Sequence, residues 1–421
     1  MMNPSLRWIS SLCLGRPAAE FTFAALLMLG ILAIPSMQAQ TFSVQFTFSG
    51  TDGADPFSGL IMDARGTLYG TTGFGGLGAG TVFKLTKRHK QNVLHTFTGA
   101  PDGAFPMGEL VRDSKGTLYG TTFNGGTGPC KGGSFGGCGT VFKVDTGGKE
   151  TVLHSFNGLD GSNPSAGLIQ DSEGALYGTT SNGGDPNCDP PYGCGTVFKL
   201  DKAGKETVLH YFAGYPTDGA SPVAGLIRGI HGDLYGATSA GGSGPCATEY
   251  SSGCGAVFEV DAAGKETVLY NFSGGSDGAT PYGLTRDSAG TLYGTTSFGG
   301  DLACFPPYGC GTVFKLDTLG KETALHVFHG SPDGAHPYAG VIRDAQGRIY
   351  GTTVDAGLGY GIVFEIDGSG KETVIYTFTG QTDGGYPSGL LALGPKGNLY
   401  GTARGNAFGK APDGVVFKVI P

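Results

Sequence analysis

The sequence predicts an all-β fold, a seven-bladed β-propeller of four-stranded antiparallel blades. Three observations carry that reading. An Asp-Gly pair recurs at Asp52, Asp102, Asp160, Asp218, Asp277, Asp333 and Asp383, with spacings of 50, 58, 58, 59, 56 and 50 residues. Each interval divides into four short stretches rich in β-branched and aromatic residues. The last interval holds only three, and the missing fourth stands at the opposite end of the chain. Four antiparallel strands per unit at a fixed period favour a propeller over a sandwich.

Residues 1–39 come first and stand apart. Arg7 and Arg16 precede an apolar run from Phe21 to Ile34, followed by Pro35-Ser36-Met37-Gln38-Ala39. A basic start, a short apolar core and a small residue at the end predict a secretory signal peptide cleaved near Ala39. The run is short for a membrane span, and Cys13 lies before it, badly placed for lipid attachment. Residues 40–421 then form the propeller.

Blade 3 shows the repeating pattern. Its strands are expected at Gly167–Asp171, Leu176–Thr180, Thr196–Leu200 and Val208–Phe212. Asp171 to Gly174 joins the first pair and Asp201 to Gly204 the second, ordinary hairpin chemistry for Asp and Gly. A Pro follows each Asp-Gly pair, at Pro56, Pro106, Pro164, Pro222, Pro281, Pro337 and Pro387. The chain ends on Val415–Val419, a third strand, while Ser43–Phe48 precedes Asp52 as Val152–Phe156 precedes Asp160. The N-terminal strand therefore completes blade 7 and seals the ring, which removes open sheet edges.

Composition agrees. Gly is 80 of 421 residues, far above the usual ~7%, and it is interleaved with β-formers as many tight turns require. Residues 40–421 carry 25 basic and 34 acidic side chains, a formal charge of −9. No Lys/Arg cluster stands out, which argues against a nucleic-acid partner. No later apolar stretch is long enough to span a membrane, and a monomer is expected.

The signature Gly174-Ala-Leu-Tyr-Gly-Thr-Thr180, with Gly193-Cys-Gly-Thr-Val-Phe-Lys-Leu-Asp201 and Gly204-Lys-Glu-Thr-Val-Leu-His-Tyr-Phe212, resembles the Gloeo/Verruco (GloVer) tandem repeat of exported bacterial proteins. The resemblance covers nearly all of residues 42–421. It implies export and a propeller-like ring, and brings no established activity with it. Such proteins often carry a C-terminal surface anchor; this chain stops directly after its last strand. The strand order more loosely resembles NHL-type propellers.

Eight Cys fall in the propeller as Cys130/Cys138, Cys188/Cys194, Cys246/Cys254 and Cys304/Cys310, one pair per loop between the second and third strands of blades 2 to 5. Zinc is the rival reading, but CxxC spacing is absent and no His recurs in these loops. Export favours four disulfides. In an up-and-down blade those loops share a face with the Asp-Gly-x-x-Pro segments. The stapled loops are long in blades 2 to 5 and short in blades 1 and 6, which predicts a raised wall over four contiguous blades.

The candidate chemistry is sparse. The seven Asp are read as turn-formers, with a cation-binding carboxylate ring as the alternative; the Asp-x-Asp-x-Asp pattern of calcium loops is absent. His95, His154, His210 and His326 share one repeat position with Tyr270, Tyr376 and Phe46, which suggests a flat packing ring. Arg112, Arg228, Arg286 and Arg343 end the innermost strands; salt links to turn Asp are expected, with an anion-binding ring as the alternative. Ligand contacts are expected from residues that break the repeat near the channel mouth: Phe57, Phe105, Tyr282, His336, Tyr338 and Tyr386, joined by Tyr192, Tyr250 and Tyr308 from the stapled loops.

Three function classes follow. The first is an exported, non-enzymatic binding module for an extracellular glycan, peptide or protein, with no cofactor or metal. The second is a propeller lyase or lactonase with a central divalent metal, needing asymmetric acids and His to converge at the channel, for example His336 with Asp333 and Asp55. A purely structural envelope scaffold is the third possibility. The absence of Trp after Trp8 weakens the carbohydrate case.

Overall fold

The Leu-Tyr-Gly-Thr-Thr and Thr-Val-Phe-Lys-Leu stretches alternate small, branched and aromatic side chains on a period of two, so each can pack both faces of a pleated strand. The computed structural model describes residues 40–131, 135–246, 252–355, 357–405 and 413–421. It is a propeller of seven four-stranded antiparallel blades; the blade 5 sheet gains a fifth short strand, Ala279–Pro281. Blade 3 comprises Ile169–Gln170, Leu176–Thr180, Thr196–Leu200 and Glu206–Tyr211, hydrogen-bonded in that order.

The innermost strand is shorter than the sequence suggested, two residues in every blade. Gly167 and Leu168 leave the ladder because Gly167 lines the central axis, and Asp171 already opens the next turn. The outermost strand carries a β-bulge at the same place in every blade. In blade 3 Val197 pairs with His210 and Phe198 with Val208, leaving Leu209 as the extra residue. Such a bulge re-aims side chains beside it.

Blades are held to one another by pairs of Phe rings. A Phe after the fourth strand of one blade meets the Phe of the next blade's third strand edge to face, as in Phe156–Phe198 with centroids 5.1 Å apart and planes at 69°. All seven seams carry such a pair, including Phe378–Phe417 and Phe48–Phe83 on either side of blade 7. All fourteen rings are buried, and edge-to-face contact adds to the gain from burial. The Gly of each second strand makes room for them. A Cβ at Gly178 would stand 2.8 Å from the Phe198 Cζ and 2.7 Å from Leu168 Cδ2.

Closure follows the expected route. Thr41–Thr47 pairs antiparallel with Gly414–Ile420, from Thr41 opposite Ile420 to Thr47 opposite Val415. Around the axis, Thr121, Thr179 and Thr295 donate to the carbonyls of Ala166, Ala224 and Ala339 in the following blade. Thr402 repeats the bond across the closing seam, to Ser58 at 2.8 Å.

Candidate functional site

One face is built from the Asp-Gly segments. The Asp caps its own turn: Asp160 accepts the Asn157 N–H at 2.8 Å, and Asp333 that of His329 at 2.7 Å. The segment after the Gly pairs with the loop leaving the second strand of the same blade, Ser162 with Asn182 and Ala335 with Asp355. This places the Asp-Gly segments and the loops between second and third strands on one face. The residue before each Pro is left-handed in all seven blades, from Asp55 (φ 48°) to Phe105 (φ 58°) and Tyr386 (φ 53°). That conformation is disfavoured for a non-glycine residue and doubly so before Pro. A hydrogen bond across the seam holds it: Ser221 donates its N–H to the carbonyl of Cys194 at 2.9 Å, and His336 to that of Cys310.

The disulfides sit at these seams. Cys130–Cys138, Cys188–Cys194, Cys246–Cys254 and Cys304–Cys310 are bonded, each within its own loop. The second Cys of each pair supplies the carbonyl that accepts the next blade's pre-proline N–H; Ala79, Tyr360 and Asp413 do so where there is no staple. The alternation of long and short Cys spacing persists in the geometry, with Cα atoms 5.0 Å apart in blades 2 and 4 against 5.6 and 5.8 Å in blades 3 and 5.

Aromatic rings run across this face toward the axis. Phe57, Phe74, Phe105 and Phe135 form one chain of contacts with centroids 5.0–6.3 Å apart. Phe305, Tyr308, Phe298, His336, Tyr338 and Tyr282 form another. Phe74, Phe305 and Tyr308 are exposed, at 38, 51 and 47%. At the axis the post-proline segments of all seven blades enclose a cavity of about 200 Å³, lined by Phe57, Tyr282 and Tyr338 among others.

Among the described residues Glu109 is the one charged residue on its wall. The corresponding positions after the other prolines are held by Gly59, Gly167, Gly225, Gly340 and Leu390, with blade 5 one residue shorter. Its carboxyl lies against Gly59, where a Cβ would overlap it and stand 2.6 Å from the Leu390 carbonyl. Glu109 as a residue is half-buried, with its carboxyl set between Gly59 and Leu390. Burial pushes it up to about 7, against the pull of the Leu390 N–H.

A family model, the Gloeobacter/Verrucomicrobia repeat, matches residues 30–185, 128–304 and 306–421. The chain belongs to this repeat family. No curated protein matches it. Among solved structures it is similar to the extracellular domain of a protein described as a hybrid two-component system from B. thetaiotaomicron, with 14% identity and a TM-score of 0.54 over 90% of this chain and 41% of that one. A second such domain from the same organism matches at 9% identity and a TM-score of 0.57, over 90% and 39%. The chain thus spans about two fifths of those domains, and at these identities the likeness shows the propeller fold. A gluconolactonase of Xanthomonas campestris, at 17% identity over 74% of this chain and 85% of that one, reaches a TM-score of only 0.41 and carries no argument.

Within this Gloeobacter/Verrucomicrobia repeat the expected ligand residues do not gather in one place. Phe57, Tyr282 and Tyr338 line the axial cavity. Phe105 packs between Phe74 and Phe135, and Tyr386 against Tyr360. Tyr308 is half-exposed on its stapled loop, Tyr192 stands out at 65% exposure, and Tyr250 lies outside the described residues. His336 is buried, its Nδ1 2.9 Å from Asp355 Oδ2 and its Nε2 toward the Gly309 carbonyl.

The set named as an example for the lyase reading, His336 with Asp333 and Asp55, is not assembled. Asp333 is engaged by His326 and Asp55 lies beside Arg404, while His336 holds Asp355. The Arg ring is likewise corrected. Arg112, Arg228, Arg286 and Arg343 each lie over a Tyr of the preceding blade, at 4.3–5.9 Å from the ring centroid, and among the described residues only Arg343 also pairs with an Asp, Asp287. Cation–π contact, not a row of salt links, occupies them.

The strand-four position is more than a packing ring. His95, His154, His210 and His326 each place Nε2 3.0–3.3 Å from the Asp of the Asp-Gly pair that follows them and opens the next blade, and Tyr270 and Tyr376 reach Asp277 and Asp383 with their hydroxyls. A Glu of the next blade completes the seam. His95/Asp102/Glu150, His154/Asp160/Glu206 and His210/Asp218/Glu266 each bring three ligand atoms within 4.8 Å. A cation is not what the repeat demands there. Glu322, beside Tyr270 in place of His, has the same unpartnered Oε1 and the same rise to about 7. Burial beside an Asp accounts for the raised carboxyl at every such seam.

Proposed function

We propose that this chain is an exported, non-enzymatic binding module that recognises an extracellular glycan or protein with its loop face. The observation that carries this reading is the run of exposed rings, Phe74 on one side and Phe305 and Tyr308 on the other, leading through Phe57, Tyr282 and Tyr338 to the axial cavity. Large apolar groups exposed together on one face of a soluble scaffold mark interaction sites. Rigid loops on a fixed frame are where propellers carry such sites, and the four staples supply that rigidity. Four disulfides also fit an oxidising compartment, which agrees with residues 1–39 acting as a cleaved leader. Among the described residues no helix is long and apolar enough to cross a membrane.

The experiment is a screen of the purified chain, disulfides intact, against cell-wall and plant glycans and against surface proteins. A ligand is expected whose binding falls at least about tenfold when Phe305 and Tyr308 are both changed to Ala, the loss typical of removing a packed aromatic anchor. A screen that yields no binder, or a binder indifferent to these rings, overturns the assignment.

A further inference from the structure

Glu109 is the clearest departure from sevenfold repetition near the axis, and neither ring closure nor blade packing uses its charge. Six blades place Gly or an apolar residue in the same neighbourhood. Among the described residues Glu109 makes no ion pair. A carboxylate taken out of water without a cation is strongly disfavoured, and such groups pair or stay protonated. On the wall of the same cavity Ser165 Oγ is buried without a hydrogen-bond partner. The Tyr282 and Tyr338 rings stand edge to face beside it, 5.3 Å apart, and burial raises both phenols, so they remain neutral.

The chemistry narrows the ligand. Calcium needs six to eight oxygens and usually several carboxylates, whereas this wall offers one. Zinc needs nitrogen or sulfur ligands, and among the described residues no His or Cys lines the cavity. A guanidinium presents a planar fork that wants paired acceptors. A primary ammonium on a narrow alkyl stem needs one charge partner, a few oxygen acceptors and apolar walls, and Tyr faces favour a cation nearby.

We propose that the axial cavity takes the ammonium group of a linear alkyl amine, held by Glu109 with Ser165 and the Tyr282 and Tyr338 rings around it. The inference rests on the loop-face binding reading and names the chemistry at its centre. A lysine side chain of a partner and a free polyamine share that chemistry. Gly59 leaves the room in which the carboxylate lies, so the cradle is part of the scaffold.

The test is calorimetric titration of the purified chain at pH 8 with putrescine, with Nα-acetyl-lysine methylamide, and with the norleucine methylamide that lacks the ammonium. Binding of either amine but not of the norleucine compound is expected; the preferred amine separates a free ligand from a protein side chain. Glu109→Gln keeps an acceptor for the Leu390 N–H but removes the charge, and should weaken binding about tenfold or more, the scale of a charged hydrogen bond. Equal affinity in Glu109→Gln, or equal affinity for norleucine, overturns the proposal. Should that variant fail to fold, the wild-type chain decides: protonation of Glu109 should weaken amine binding about tenfold between pH 8 and 5.5, and a flat profile overturns it. A glycan or protein ligand found while both amines stay silent overturns this inference alone and leaves the loop-face module standing.

Discussion

Asp218 accepts the N–H groups of Ala213 and Gly219 at 2.8 and 2.6 Å, and His210 Nε2 stands 3.0 Å from it. The His ring also rests edge-on against Phe212, centroids 4.8 Å apart. Packing and polarity can be separated here because the chain performs the substitutions itself: Tyr270 and Tyr376 keep the polar tip, while Phe46 drops it. His210→Tyr should therefore leave stability close to wild type, whereas His210→Phe should lose about 1–2 kcal/mol, one hydrogen bond to a charged acceptor. Urea unfolding of both variants checks this; equal midpoints would return the position to a mere packing ring. The ring was readable from the sequence, since His, Tyr and Phe share a flat body. Its partner was not, because an Asp beside Gly already has a sufficient explanation as a turn-former, and only the bulge at Leu209 brings the two together.

Each disulfide closes a short loop, and the chain-entropy estimate assigns about 2–3 kcal/mol to a loop of that size. The structure adds a local consequence. Cys194 both closes its staple on Cys188 and offers its carbonyl to the Ser221 N–H of the next blade. Cys188→Ala with Cys194→Ala should therefore lower global stability by about that amount and also speed amide exchange at Ser221, while Asn163, held by Cys138, stays protected. Exchange measured by mass spectrometry distinguishes the two; uniform acceleration over the ring would mean that the staple does not brace its own seam. The second, third and fourth strands were legible because their side chains obey a two-residue period. The innermost strand was overestimated because Gly167 and Leu168 look like strand but serve the axis. Glu109 was legible in principle, as the acidic residue three positions after a repeat Pro, yet its meaning depends on a cavity assembled from seven segments far apart in sequence.

The ring as a whole was predictable because it rests on counting: seven Asp-Gly pairs, twenty-seven strands of the four-per-blade pattern after the first of them, and the twenty-eighth displaced to the start of the chain. The seams between blades were hidden, since each joins residues a full repeat apart, and one of their properties belongs to the molecule rather than to any blade. Glu150, Glu206, Glu266, Glu322 and Glu372 are each pushed up to about 7, first by burial and then by the Asp of the Asp-Gly pair that opens its own repeat. Their ordinary value is 4.5, so the folded chain keeps protons that the unfolded chain releases. The stability they contribute is complete below 4.5 and is lost as pH rises through 7. Asp63, Asp171 and Asp344 act the other way: despite burial, N–H donors of their own turns hold them below 3.8, and their contribution is lost under acid. Stability should therefore peak at about pH 4–5, and the urea midpoint at pH 8 should fall below that at pH 5. Glu206→Gln should narrow the gap, because Gln91 already occupies the equivalent place in blade 1, donating to the Asp52 carbonyl at 3.1 Å. General repulsion from the net negative charge would act in the same direction, but salt screens it, while partly buried carboxyls respond far less. A gap that survives 1 M salt, which shortens the screening length to about 3 Å, therefore belongs to the seams, and a gap that vanishes there, or an optimum above pH 7, refutes their role.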